Sequence, residues 1–341
     1  VFDARIELSD SLKLISVTGY DEGLYDQSRT DCDGTPLRLC AIGYKSKFNG
    51  FNQDVRLDFD GGPFKAIVGA FYGKDKVVAD NSPDFFNFLS DVTAAVGLPP
   101  TYFNPGGAFN GTALSAGSLP TGIRASNHSV QKRTSYAAYG EASYELTPAL
   151  KVTAGVRYTK DKNKFRDGIT TYFDDTGTAR LITVSNFMQG GAFAPYFLQD
   201  VRDEAGNDVI PSFQGLGVPL PGGLENSGSS GRFTGRAIVD WKPADDILVY
   251  ASYSRGYRSG TFNGLAYGSA NQVYFVKPEQ VDAFEGGFKS RFWDNRAQLN
   301  IAAFYYKYKG QQGQVVDATA TANLISLDGP VKGIEVEAIV Q

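Results

Sequence analysis

Ten connections separate eleven stretches of alternating apolar and polar residues, and those connections are short and long by turns without exception. The short ones fall at 9–11, 60–63, 147–149, 242–246 and 292–295; the long ones fall at 21–47, 79–132, 166–230, 259–279 and 310–321. A sheet connected this way has one trimmed end and one elaborated end. Soluble sandwiches mix loop lengths at both ends. Barrels that span a membrane keep short turns on one side and long loops on the other. The expected fold class is therefore all-β: a transmembrane, antiparallel, up-and-down β-barrel wall.

The period of two fixes the faces. In Tyr136–Tyr158, residues Tyr136, Ala138, Gly140, Ala142 and Tyr144 oppose Tyr139, Glu141, Ser143 and Glu145. Past the turn Thr147-Pro148-Ala149, Leu150, Val152, Ala154, Val156 and Tyr158 resume the apolar face, against Lys151, Thr153, Gly155 and Arg157. In Ile247–Gly260 the same split sets Val249, Ala251 and Tyr253 against Tyr250, Ser252 and Ser254. Val152, Ala154, Val249, Ala251, Ile301 and Ala303 are expected to face lipid. Arg157, Arg236, Asp240, Glu285 and Lys289 are expected to face the lumen and an internal plug. By parity Tyr257 faces outward as part of an aromatic girdle, Arg255 beside it meets lipid head groups, and Arg258 faces the lumen. Gly329-Pro330 shifts the parity of the last strand and is expected to mark a bulge.

No apolar run reaches the roughly 18 residues of a spanning helix, which excludes helical membrane proteins but not barrels, whose strands alternate. A net charge of −4 and a pI of 5.2 give no reason to expect nucleic acid. His128 is the single histidine, so neither a metal cluster nor a triad can be built around histidines. Dinucleotide, phosphate-loop and nucleophile-elbow motifs are absent, so neither an enzyme nor a cofactor is expected. Cys32 and Cys40, separated by seven residues of a loop, are expected to form a disulfide in an oxidising compartment. Candidate ligand contacts are Arg258 at a strand end, and Tyr172, Phe173, Phe193, Tyr196 and Phe197 in the longest connection. The alternatives are structural: lipid contact for the arginine, and the loop's own small core for the aromatics.

Several segments carry a resemblance: FNQDVRLDF (51–59), YAAYGEASYELTPALKVTAGVRYTKDK (136–162), VYASYSRGYRSGTFN (249–263), KPEQVDAFEGGFKSRF (277–292) and KGIEVEA (332–338). In order and spread they resemble the TonB-dependent receptors, 22-stranded, plugged barrels of the Gram-negative outer membrane. The resemblance implies that 1–341 is a partial barrel domain of about 11 strands, with plug and C-terminal strands outside it. It also implies import of a scarce nutrient: a ferric siderophore, cobalamin or a glycan. The implied partners are outer-membrane lipid and lipopolysaccharide, and the TonB complex reached through an N-terminal region. A non-energised porin or a structural surface barrel is the alternative.

Overall fold

A computed structural model describes residues 1–31, 40–85, 123–173, 224–264, 273–316 and 322–340. Its strands are β1 (Phe2–Ser9), β2 (Leu12–Asp31), β3 (Cys40–Gly61), β4 (Phe64–Phe85), β5 (Ile123–Thr147), β6 (Leu150–Phe173), β7 (Leu224–Ala244), β8 (Ile247–Arg258), β9 (Thr261–Phe262), β10 (Phe275–Val276), β11 (Glu279–Phe292), β12 (Ala297–Val316) and β13 (Ala322–Val340). Eleven of them form one antiparallel sheet in chain order, with β8 pairing directly to β11; β9 and β10 make a separate two-stranded hairpin. The sheet is not closed on itself, since β1 and β13 each pair on one side only. Between β3 and β4 the turn is made by Gly62 at φ 78°, a conformation that side chains with a Cβ resist.

The strands are longer than their apolar alternation. β2 and β3 pair out to Asp31↔Ala41, β4 and β5 to Phe85↔Ile123, and β5 and β6 to Arg124↔Phe173. The long connections expected at 21–47, 79–132, 166–230 and 310–321 are therefore ladder at their ends, a correction to the sequence reading. The cause is physical: beyond the apolar zone both faces are polar, so the backbone ladder continues while the two-residue hydropathy signal stops. The expected bulge also moves. Gly310, at φ 65°, lies in a register shift on β12 opposite β13, and its N–H donates to Asp328 Oδ1 at 2.7 Å. Gly329 pairs regularly with Tyr308.

Register sorts the wall into two faces. On the outward face, Phe51, Tyr72, Tyr136, Tyr158, Phe233, Tyr253, Phe284 and Tyr305 form an aromatic ring, with Phe51–Tyr72 at 6.3 Å, Tyr72–Tyr136 at 5.4 Å, Tyr158–Phe233 at 4.8 Å and Tyr253–Phe284 at 5.0 Å between centroids. A second ring near the short turns holds Phe59, Phe64, Tyr144, Trp241 and Phe292, with Phe59–Phe64 at 5.9 Å and Phe64–Tyr144 at 6.4 Å. On β3, β4, β5, β7 and β11 the two rings are eight residues apart. At ~3.3 Å per residue and a tilt near 40°, that is about 20 Å of height, close to the apolar band of a membrane barrel. From β1 to β13, no outward position between the rings carries a charge. The opposite face at the same level carries Asp54, Arg56, Glu141, Lys151, Arg157, Arg236, Asp240, Glu285 and Lys289.

Candidate functional site

The charged face is a connected polar wall. Arg236 donates from Nε and Nη2 to the two oxygens of Glu141, both at 2.7 Å, reaching over Gly155 on the strand between them. Tyr139 donates to Asp54, and Arg56 pairs with the same carboxylate at 3.2 Å. The Arg157 guanidinium lies 5.2 Å from the Phe71 ring centre and 5.5 Å from that of Tyr139, a cation–π sandwich, while its Nε donates to Thr159 Oγ1 at 3.0 Å. Glu285 accepts from Tyr250 at 2.7 Å and Tyr306 at 3.3 Å. Lys289 Nζ stands 5.6 Å over the Tyr250 ring, and Asp240 lies in register with Lys151 and Tyr250. Every charge here has a polar, charged or aromatic neighbour, as a water-facing wall requires.

At the end of the long connections this wall bears a folded-in segment. The β7–β8 ladder stops at Gly235↔Arg255, while β7 continues beside β6 to Leu224. Held by β11 alone, the end of β8 swings over the polar face. Tyr257, expected from parity to point outward, instead donates to Asp161 Oδ2 at 2.7 Å. Its one proton is then used, so Ser230 Oγ, 2.5 Å away, donates to the phenol oxygen. Ser135 donates to the other oxygen of Asp161. Burial first, and then the Asp161 carboxylate, push the Tyr257 phenol up to about 12. Arg255 does remain outward, but its Nε donates to Asp282 Oδ1 at 2.6 Å, and Tyr253 bonds to the same oxygen. The lipid head group expected for this arginine is replaced by a carboxylate of the neighbouring strand.

The β9–β10 hairpin continues the segment. Phe262, Val273 and the inward Phe165 of β6 form a buried cluster with Phe275 against it; Phe165 is 1 % exposed. Burying a side chain of that size stabilises by roughly 1.5–3 kcal/mol. Asn226 donates to the Val273 carbonyl at 2.8 Å and Asn163 to Ser259 Oγ at 3.0 Å. The Gln312 amide donates to the carbonyls of Ser259 at 3.0 Å and Lys277 at 3.1 Å. Gly228 is required by close approach: a Cβ there would lie 2.3 Å from the Phe275 ring.

Between the hairpin and β4–β6 lies a groove of about 270 Å³ whose lining includes Asp75, Gln131, Arg133, Asn163, Arg258 and Gln312. Arg133 holds Asp75 at 2.6 Å. Among the described residues Arg258 pairs only with Glu279, at 3.8 Å, and 68 % of its side chain is exposed. The arrangement offers a cation and several amides to a polar or anionic solute. Tyr172 and Phe173 end β6 opposite Ala125 and Arg124, with their side chains outside the described set; Phe193, Tyr196 and Phe197 lie outside the described residues. Cys32 lies outside them too, and Cys40 is placed only by its backbone, opposite Phe85. His128, expected in a loop, is on β5, with Nδ1 2.6 Å from Asp80 Oδ1. Among the described residues, no cluster of His, Cys, Asp and Glu is arranged to hold a metal ion. Sequence reasoning expected an aromatic girdle but placed Tyr257 in it, and it identified neither the members of the two rings nor the folded-in hairpin; the eight-residue spacing of aromatics was the available signal for the rings.

A family model described as TonB dependent receptor-like, beta-barrel, matches residues 3–341. No curated protein matches the chain. Among solved structures, the ferric yersiniabactin uptake receptor FyuA of Yersinia pestis superposes with a TM-score of 0.60 at 14 % identity, covering 98 % of this chain and 38 % of that one. The siderophore receptor PiuA of Acinetobacter baumannii gives 0.56 at 17 % identity, covering 98 % and 42 %. The copper transporter OprC gives 0.55 at 12 % identity, again covering 98 % and 42 %. The chain spans about two fifths of the length of these structures.

Proposed function

The chain belongs to the TonB-dependent receptor family, and from that premise we propose that it forms part of the wall of an outer-membrane importer for a scarce nutrient. Members of the family are receptors and transporters, not enzymes. The observation that carries the reading is the two-faced wall: a charge-free outward band between aromatic rings, backed by a charged, hydrogen-bonded inner face. Only a strand with lipid on one side and a water-filled or plugged lumen on the other calls for that division. In this orientation the short turns face the periplasm and the long connections face outward.

Ligand capture is assigned to the outer vestibule, where the groove beside the hairpin presents Arg258, Gln131 and Gln312. The loop aromatics Tyr172, Phe173, Phe193, Tyr196 and Phe197 would add stacking surfaces to the same vestibule. The ligand classes are ferric siderophores, cobalamin and glycans. Proteins of similar fold include a ferric yersiniabactin uptake receptor and a copper transporter, so the wall does not choose the cargo and the vestibule must. Energy would come through TonB, engaged by a region outside 1–341.

The test is uptake by cells expressing the full-length protein, supplied with isotope-labelled ferric siderophores. Uptake is expected to stop when TonB is deleted, while binding at the cell surface persists. Arg258→Ala is expected to weaken surface binding about tenfold, the loss of one partly solvated charged contact. Uptake that continues unchanged without TonB would refute the proposal in favour of a passive pore.

A further inference from the structure

The β9–β10 hairpin is the β8–β11 ladder continued. That ladder ends at Glu279↔Arg258 and the hairpin begins at Val276↔Thr261, so the same number of residues is skipped on each strand, Ser259-Gly260 on one and Lys277-Pro278 on the other. Equal spacing keeps the register, and the two strands could run straight on as wall. A place there exists for them. β7 passes the last β8 pair, Gly235↔Arg255, and runs on to Leu224. The bond from the Lys242 N–H to the Ala149 carbonyl sets the parity of β7: even residues turn their main chain to β6, so Ser227, Ser229 and Gly231 turn theirs to the side that β8 has left. On that side Asn226 Oδ1 takes the Ser227 N–H at 2.8 Å, and Arg232 Nη1 donates to the Gly231 carbonyl at 2.9 Å. Side chains thus do what a neighbouring strand does elsewhere in the sheet. The run 227–231, Ser-Gly-Ser-Ser-Gly, presents nothing bulky to a strand pairing there.

What holds the strands on the polar face instead converges on Gln312 of β12. Its amide nitrogen donates to the Ser259 carbonyl at 3.0 Å and to the Lys277 carbonyl at 3.1 Å, one on each side of the break. These are the acceptors that a straight path would use. The bond from the Arg291 N–H to the Asp246 carbonyl fixes the parity of β8 and β11. Continued, it turns the Lys277 carbonyl toward Gly260 and the Ser259 carbonyl toward Gly231 of β7. One amide therefore replaces a rung of each ladder, with both of its hydrogens. The Gln312 N–H takes Glu279 Oε2 at 3.1 Å, the same oxygen that stands 3.8 Å from Arg258 Nη1. Glu279 is thus anchored on β12 while Arg258 lines the groove.

We propose that Gln312 is a positioning residue of the groove: it holds the chain after Arg258 on the polar face, keeps Glu279 on β12, and so presents the Arg258 guanidinium to a solute. The inference rests on the vestibule reading above, in which Arg258 is a ligand contact. Gln312 also lines the groove, but its amide hydrogens are committed to main-chain carbonyls, so it acts through Arg258 and not by donating to the solute. Without those two bonds the Ser259 and Lys277 carbonyls have a second set of partners in register, and the segment straightens beside β7. Side-chain chemistry then separates substitutions that look alike in size. Methionine matches the length of glutamine but donates nothing, whereas the lysine ammonium carries three donors for the same two carbonyls.

The first arm of the experiment needs no ligand. Full-length protein carrying Ser229→Cys/Thr261→Cys is oxidised mildly, and the cross-link is measured by peptide mass spectrometry. Continuing the β7–β8 register sets these two positions opposite one another, about 5.5 Å apart at Cα and within disulfide reach. In the bent arrangement Thr261 lines the groove while Ser229 is exposed on the outward face. Adding Gln312→Met should raise the cross-link yield about tenfold, the shift given by one or two lost hydrogen bonds. Adding Gln312→Lys should leave the yield at the parent level, and equal yields for the two would overturn the proposal. The second arm measures binding of isotope-labelled ferric siderophores to cells expressing the full-length protein. Gln312→Met should lose about tenfold, as Arg258→Ala does, and the double variant should lose no more, because coupled residues do not add. Losses that multiply, or wild-type binding by Gln312→Met, would overturn the proposal. Wild-type cells that bind none of these siderophores, with the cross-link responding as expected, would refute the siderophore cargo and uphold the hold of Gln312 on the segment.

Discussion

Arginine at two adjacent positions of β4 tests the two-faced wall most sharply. Val68 lies four residues from Phe64 in one ring and four from Tyr72 in the other, points outward, and is 57 % exposed. At ~3.3 Å per residue and a tilt near 40°, it sits about 10 Å inside either ring, close to the midplane of the apolar band. Val68→Arg should therefore cost roughly 2–4 kcal/mol, about a 30- to 800-fold shift toward the unfolded chain. Ile67, the preceding residue, points to the inner face and stands in register with Glu141. Ile67→Arg places its charge beside a carboxylate and water, and should cost less than about 1 kcal/mol, the range of an exposed ion pair. Phe64→Arg, at the ring, should fall at about 0–1 kcal/mol, because a long side chain there reaches the interface. The assay is guanidinium-driven unfolding of the full-length protein in lipid vesicles, followed by Trp fluorescence and by heat-modifiable gel mobility. Equal costs for Val68→Arg and Ile67→Arg, or the reverse order, would refute the assignment of faces.

Three further outcomes are expected. Tyr257 should remain neutral until about pH 12, while exposed tyrosines ionise near 10. Because its folded pKa is raised, its contribution is full below about pH 10 and is lost as pH rises through about 12; the late step in tyrosinate absorbance should lose the amplitude of one tyrosine in Tyr257→Phe. Gly228→Leu should displace Phe275 and lift the β9–β10 hairpin from the wall, seen as faster amide exchange at Phe262 and Val276 with the unfolding midpoint of the barrel nearly unchanged. Peptides from the non-reduced protein should show Cys32 joined to Cys40, with two free thiols as the contrary result.

The sequence carried the wall well and its ends poorly, for reasons that specific residues make plain. Between the rings, water on one side and lipid on the other impose alternation, so Ala138, Gly140 and Ala142 declare their face without help. Beyond the rings that contrast vanishes: Asp21–Asp31 and Asn81–Phe85 are held by backbone pairing, which leaves no pattern in side-chain polarity. Tyr257 misled parity because direction along a strand holds only while both neighbours pair, and β7 has already let go at Arg255. The hairpin core of Phe262, Val273 and Phe275 is drawn from a Gly- and Asn-rich connection, where three apolar residues carry no period.

The extension of the ladder past the membrane has a mechanical consequence. From Tyr158 to Phe173, β6 continues for fifteen residues beyond the ring, about 35–40 Å of height at the same tilt. Its neighbours β5 and β7 run alongside, so the outer connections are carried on a stiff collar and not tethered at the bilayer surface. Because the collar is held by main-chain bonds common to every sequence, exchanging its side chains or lengthening its tips leaves the lipid-facing band untouched. Under the importer reading proposed above, recognition at the rim can therefore drift toward new solutes while the portion embedded in the membrane stays as it is.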